Sequence, residues 1–246
     1  MTEMPDRTAA AHVLALDTST PRTALALLVR DGRVLRRSLE GSLEARHGRI
    51  LIPEIQALLR EGGVATRELE AIAVGLGPGS FTGLRIGLVA VKTLALAAGA
   101  DVLPLDSMAL IAANAGSTVE HVAVIVDAQR GGVCVTEFTR GTNGSLQREG
   151  ATRIAGPEEL ARTLPADTCV LGPAAARVRL LRDDLGAADS TLDLPGDDAL
   201  AQAARRAWCS GPRGDIWTLE PCYVRAAAAE EKAAAQASDA RGGSSQ

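Results

Sequence analysis

One pattern occurs twice in this chain, and it constrains the fold more than any other feature. An apolar run over residues 12–16 is closed by Asp17. A polar turn (TSTPR) follows, then a second apolar run from Ala24 to Val29, then Asp31-Gly32, then a third run, RVLRRSLE. Asp-Gly between two such runs signals a tight hairpin. From His121 the pattern restarts. HVAVIVD ends in Asp127, GGVCVTEFTR alternates as a strand does, GTNG is a turn, and SLQREGATRI is the third strand.

Helical and strand segments follow each set of three. Ile50, Leu51, Ile55, Leu58 and Leu59 recur at helical spacing, predicting a helix from about Leu43 to Glu61, with Pro53 as its start or kink and Gly62-Gly63 as its stop. Residues 71–77 read as a buried strand, GPGSFTG as a loop, and Leu84 to Gly99 as a helix. DVLPLD is a short strand, and Asp106 or Ser107 caps a further helix. The second half continues with PEELARTL (helix), TCVLG (strand), a helix over 177–185 and another from about 198 to 211. A duplicated strand-strand-strand-helix-strand-helix unit predicts an α/β chain of the actin/hexokinase, ribonuclease H-like (ASKHA) class, with two related subdomains. The expected division is a disordered leader (1–11), an N-terminal lobe (12–117), a C-terminal lobe (118–225) and a disordered, Ala-rich tail (226–246).

Composition narrows the function. Aromatics are 2% of the 246 residues, so the core is built from Ala, Val, Leu and Ile. Net charge is −4, and Lys92 is the one lysine before the tail, so a chain that grips RNA by itself is not signalled. The four cysteines lie far apart, without a C-x-x-C pair. The N-terminus is polar, and the longest apolar stretches are read as broken by Gly, Lys or Asp before membrane-span length. A soluble, cytoplasmic protein is expected, with no cofactor.

Asp17 and Asp127 end buried strands and face turns, the places where actin-like ATPases hold Mg²⁺ and phosphates. Asp17 is followed by hydroxyls without glycine, whereas Asp127 is followed by a turn containing Gly131-Gly132. Each aspartate either caps its turn or keeps a residual nucleotide contact, with Gly131 as part of the latter. The run Gly75 to Gly87 feeds a strand through a glycine-rich turn into a helix. That geometry either cradles an anion or makes a tight turn, and it lacks the Gly-Lys-Ser/Thr of a phosphate-binding P-loop. The helix carries Gly83, Gly87 and Ala90 along one side, small residues that suit a close helix contact in an interface or in a core. Phe81 beside the turn is an interface anchor or a core plug. No His pair with metal-ligand spacing and no G-x-S-x-G elbow occurs, so neither a catalytic residue nor a metal site is expected. Glu220 to Arg225, with the sole Tyr, is either a segment that packs back on the domain or one with a ligand role.

These residues resemble the TsaB family, also called YeaZ, from Val13 to about Arg225. The resemblance lies in LALDTST, Arg46-His47 with Pro53, GLGPGSFTGLRIG, VDAQRGGVCV and EPCYVR. The glycine-rich stretch is shared more loosely with TsaD, the catalytic paralogue, whose like carry an H-x-x-x-H metal pair on the first helix. Here His47 is followed four residues later by Leu51. The resemblance implies a non-catalytic subunit that pairs with TsaD and works with the small ATPase TsaE. The set transfers threonylcarbamoyl to N6 of the adenosine 3′ of the anticodon in tRNAs reading ANN codons. The chain would reach tRNA only within the complex, form a homodimer when alone, and contact no membrane. The implied interface is the face of the first two helices, with His47, Ile50, Leu51, Phe81, Thr82, Arg85 and Ile86. The sequence expectation adds Gly83, Gly87 and Ala90 to that face and holds that the stripe is exposed together with Leu51. The chain departs from the family at Gly132 and Cys134, often Glu and Tyr. The alternative from the fold class is an ASKHA-type ATPase or small-molecule kinase.

Overall fold

A computed structural model describes residues 10–40, 47–128, 130–182, 184–187 and 190–224. The leader expected over 1–11 falls almost wholly outside these, as do the tail and the side chain of His47.

The first sheet has the order β3-β2-β1-β4-β5. Its strands are β1 (Val13–Asp17), β2 (Thr23–Leu28), β3 (Val34–Leu39), β4 (Ala71–Gly75) and β5 (Asp101–Leu105). β1, β2 and β3 run antiparallel, whereas β4 and β5 run parallel to β1. The second sheet, β10-β9-β6-β7-β8, repeats this plan. β6 (His121–Asp127), β7 (Val133–Arg140) and β8 (Leu146–Ala155) are the antiparallel set, and β9 (Cys169–Leu171) and β10 (Gly186–Ala187) the parallel one. The duplication read in the sequence is thus the fold, an ASKHA-type α/β architecture.

β1 and β2 are buried at every position because both faces of their sheet are covered. The strand period of two sorts their side chains by size. Leu14, Leu16, Leu25, Leu27, Ile72 and Val74 face α1 (His47–Gly62) and α2 (Phe81–Ala98). Ala15, Ala24, Ala26, Ala71 and Ala73 face α6 (Asp197–Ser210), which contributes Ala201, Ala204 and Ala207. Small side chains on both surfaces let α6 approach closely, which keeps this layer dense without aromatic rings. α1 runs through Pro53, which lies on its solvent face.

Packing crosses the lobe division expected near residue 118. α3 (Ser107–Ala112) precedes the boundary, yet Met108 and Ile111 pack with Val122 and Val124 of the second sheet, while Leu110 packs on the first. α6 follows the boundary but packs on β1, β2 and β5 of the first sheet. Each helix buries its apolar stripe where a sheet face is open, irrespective of chain order. α4 (Pro157–Thr163) and the single turn α5 (Ala176–Arg179) cover the second sheet through Leu160 and Val178. Among the described residues, the helix expected over 177–185 is only that turn.

α2 starts at Phe81 rather than Leu84, because the Ser80 hydroxyl accepts from the Gly83 N–H and caps the first turn. By length and composition it is apolar enough to cross a membrane, longer than the sequence reading allowed for. Gly83, Leu84, Gly87, Leu88, Ala90, Val91 and Ala95 are buried along it, whereas Val89 and Leu96 face solvent.

Candidate functional site

The first glycine turn and the end of β1 form one closed knot. Asp17 is fully buried. Its Oδ1 accepts from the Ser19 N–H (2.8 Å) and the Ser19 hydroxyl (2.6 Å), and its Oδ2 accepts from the Ser107 hydroxyl (2.6 Å). The Gly77 N–H donates to the same Ser107 oxygen at 2.9 Å. The Thr18 hydroxyl donates to the Gly83 carbonyl, and the Ser80 N–H to the Ser19 carbonyl. Both oxygens of Asp17 are therefore engaged by protein. The Gly77, Ser80, Gly83 and Leu84 amides of the turn are engaged as well. Glycine is required where backbone meets side chain. A Cβ on Gly75 would lie 1.8 Å from Asp17 Oδ2, and one on Gly79 would lie 2.3 Å from the Ser19 carbonyl. Of the two uses open to this turn, the geometry is that of a tight strand-to-helix connection.

Burial pushes the Asp17 carboxyl up from its ordinary value of 3.8, against the hydrogen bonds from Ser107 and Ser19, which pull it down. With a raised value in the folded state, folding favours the protonated acid. That contribution is whole below about pH 3.8 and is lost as pH rises through the folded value. Asp17→Asn keeps the shape and cannot ionise. The melting temperature of the Asn variant relative to wild type should therefore rise as pH is taken from 4 to 7. A gap between the two that is flat, or that moves the other way, would contradict a raised carboxyl.

Asp127 ends β6 as Asp17 ends β1, but the surroundings differ. Its carboxylate is exposed and pairs with Arg177 at 3.1 Å. Arg177 also donates to the carbonyls of Gly131 and Gly132, which holds the turn onto α5. The structure thus brings Asp127 and Gly131 together through an arginine. Sequence reasoning missed Ser107 and Arg177. Ser107 follows β5 whereas Arg177 follows β9, the counterpart of β4, so the duplication does not place the two partners equivalently.

The stripe expected to be exposed is core, and this corrects the sequence expectation. Leu51 is 1% exposed, and Gly83, Gly87 and Ala90 are buried. A Cβ on Gly87 would lie 2.2 Å from the Thr18 hydroxyl, so this side of α2 rests on the end of β1. Ile50, Phe81 and Ile86 are half-buried, and Thr82 and Arg85 are exposed. The outward stripe of α2 is instead Thr82, Arg85, Val89, Thr93 and Leu96, which recur at three- and four-residue spacing. Val89 is 64% and Leu96 57% exposed, and α1 beside them shows Ile52.

Known proteins resemble this chain in sequence and in fold. A family model described as TsaD, tRNA N6-adenosine threonylcarbamoyltransferase, matches residues 42–162. The tRNA threonylcarbamoyladenosine biosynthesis protein TsaB of Escherichia coli is 29% identical over 87% of this chain and 94% of its own length. That of Bacillus subtilis is 34% identical over 55% of this chain and 58% of its own. The solved structure of YeaZ from Pseudomonas aeruginosa superposes with a TM-score of 0.72 at 31% identity, covering 87% of this chain and 99% of that one. The chain belongs to the TsaB (YeaZ) family. Within the TsaB frame, the TsaD-type match spans α1, the glycine turn, α2 and the second-lobe strands up to α4, and so includes the glycine-rich stretch whose looser likeness to TsaD the sequence showed.

Proposed function

We propose that this chain serves tRNA threonylcarbamoyladenosine biosynthesis as a non-catalytic subunit in the cytoplasm. It pairs with a TsaD-type transferase, acts with the TsaE ATPase, and reaches tRNA only within that assembly. The observation that carries this reading is the sealed knot around Asp17. The acid that an ATPase of this fold would turn toward metal and phosphate is fully buried, with both oxygens held by Ser19 and Ser107. Leu51, which stands where TsaD-like chains carry their second helix histidine, supports it, being packed in the core as an apolar side chain. The pairing face is the outer side of α1 and α2, with Ile52, Thr82, Arg85, Val89 and Leu96 and the half-buried Phe81 and Ile86. The same face accounts for self-association of the chain when alone.

The pure chain should turn over no ATP, and should co-purify with the TsaD-type protein of its own organism and restore threonylcarbamoylation by that protein with TsaE. Metal-dependent ATP turnover by the pure chain, abolished by Asp17→Ala or Asp127→Ala, would overturn the non-catalytic reading.

A further inference from the structure

The last described segment does more than close the fold. The Cys222 N–H donates to the Leu76 carbonyl at 2.7 Å, and this brings Tyr223 to the start of α2. The Tyr223 and Phe81 rings lie 5.1 Å apart. The Arg85 guanidinium lies 3.7 Å over the Phe81 ring, and its Nε donates to the Tyr223 hydroxyl at 3.0 Å. Two of the chain's five aromatic residues, all other aromatics lying elsewhere, are thus placed around one exposed arginine. Among the described residues, no partner is found for its two terminal nitrogens. Arg140, Arg177 and Arg213, by contrast, have their terminal nitrogens turned onto backbone carbonyls.

We propose that Arg85 is a preorganised receptor for a carboxylate of the partner subunit, and that Tyr223 is its positioning residue. The inference rests on the pairing face proposed above and adds the chemistry of its end. Guanidinium stacks on aromatic faces and keeps a planar fork matched to a carboxylate. Here the stack and the Nε bond fix the plane, so little side-chain freedom is left to lose on binding. Arg85 lies four residues before Val89 on the same outward stripe, so the charged fork continues an apolar face rather than standing alone. Arginine and tyrosine flanking an apolar patch is the composition of an interface hot spot. A carboxylate of a protein is favoured over an RNA phosphate because the stripe that Arg85 continues is apolar at Val89 and Leu96, which gives a protein surface something to bury and a phosphate backbone nothing to pair with.

The test uses the full chain and the TsaD-type subunit of the same organism, with the dissociation constant measured by titration calorimetry. Arg85→Gln should weaken pairing roughly ten- to a hundredfold while the chain stays folded, since only an exposed stack and one surface hydrogen bond are lost. Arg85→Lys should recover only part of this, since the charge returns without the fork. Tyr223→Phe keeps the ring and loses the hydroxyl. It should weaken pairing severalfold, and the loss should vanish in the Arg85→Gln background if the tyrosine acts through the arginine. Val89→Asp is measured beside them. Intact pairing in Val89→Asp would remove the face itself, and the present inference with it. Pairing lost in Val89→Asp but within twofold of wild type in Arg85→Gln would overturn the carboxylate receptor and leave the face standing. Unchanged pairing with loss of tRNA retention by the Arg85→Gln complex would identify an RNA phosphate as the occupant, and would likewise overturn the proposal. Equal losses from Tyr223→Phe in both backgrounds would remove the positioning role.

Discussion

Gly75→Ala should leave little folded protein. Gly75 closes β4 beside the end of β1, and its missing side chain is the space that Asp17 Oδ2 fills. An added Cβ meets that oxygen at 1.8 Å and Ser107 Oγ at 2.7 Å, both closer than real Cβ contacts come. The carboxyl cannot step aside, because Ser19 and Ser107 hold it from both sides and it has no route to water. Overpacking costs about 1–3 kcal/mol, and each disrupted hydrogen bond to a buried charged group about 1.5–3 kcal/mol more. Together these approach the ~5–15 kcal/mol that holds a domain folded. Gly87→Leu should behave similarly, with the clash falling on Thr18 and Leu16. Gly116→Ala is the control, since nothing lies within 4 Å of its Cβ position and its φ is ordinary. Soluble yield and thermal melting read the outcome. A Gly75→Ala protein melting within about 4 °C of wild type, the equivalent of ~1 kcal/mol or so in a chain of this length, would show that the knot yields easily and is not the constraint described.

What the sequence made legible, and what it did not, follows from the range of the interactions. Local and periodic signals read true. Asp31-Gly32 is the hairpin turn, with Gly32 at φ +94° and its N–H on the Val29 carbonyl. The two strand triplets pair as their alternation and turns require, because register is set within a few residues. The orientation of α2 was not legible. The helix is apolar over most of its circumference, so its period placed Gly83, Gly87 and Ala90 on one side without saying which side meets the sheet. Burial of that side follows from the shape of β1's end, where Thr18 leaves room for a glycine and for nothing larger. The site partners lay further out of reach. Ser107 meets Asp17 across 90 residues, and Tyr223 meets Arg85 across 138. Neither pair carries a spacing rule, and only the folded topology brings them together. The packing of α3 and α6 across the expected lobe division was not legible for a related reason, since each helix settles on whichever sheet face is open.

Val89→Asp, alone or with Leu96→Asp, should abolish pairing with the TsaD-type subunit while the chain stays folded. Both side chains point outward, so the monomer has no buried contact to lose, and exposed substitutions of this kind shift stability by about 0.5 kcal/mol or less. At a closed interface the same carboxylate would be buried among apolar atoms without a partner, at a cost of several kcal/mol. Every 1.4 kcal/mol is a factor of about ten in affinity, so a loss of roughly a hundredfold or more is expected. This separates the outward stripe from the buried one by kind of failure. Gly87→Leu should lower soluble yield before pairing can be measured, whereas Val89→Asp should give normal yield and melting with no complex on gel filtration. Under the proposed role, threonylcarbamoylation by the reconstituted set should fall in step with complex formation. Wild-type pairing by Val89→Asp and Leu96→Asp would place the contact elsewhere on the chain, and the exposed apolar stripe of α2 would then need a different occupant.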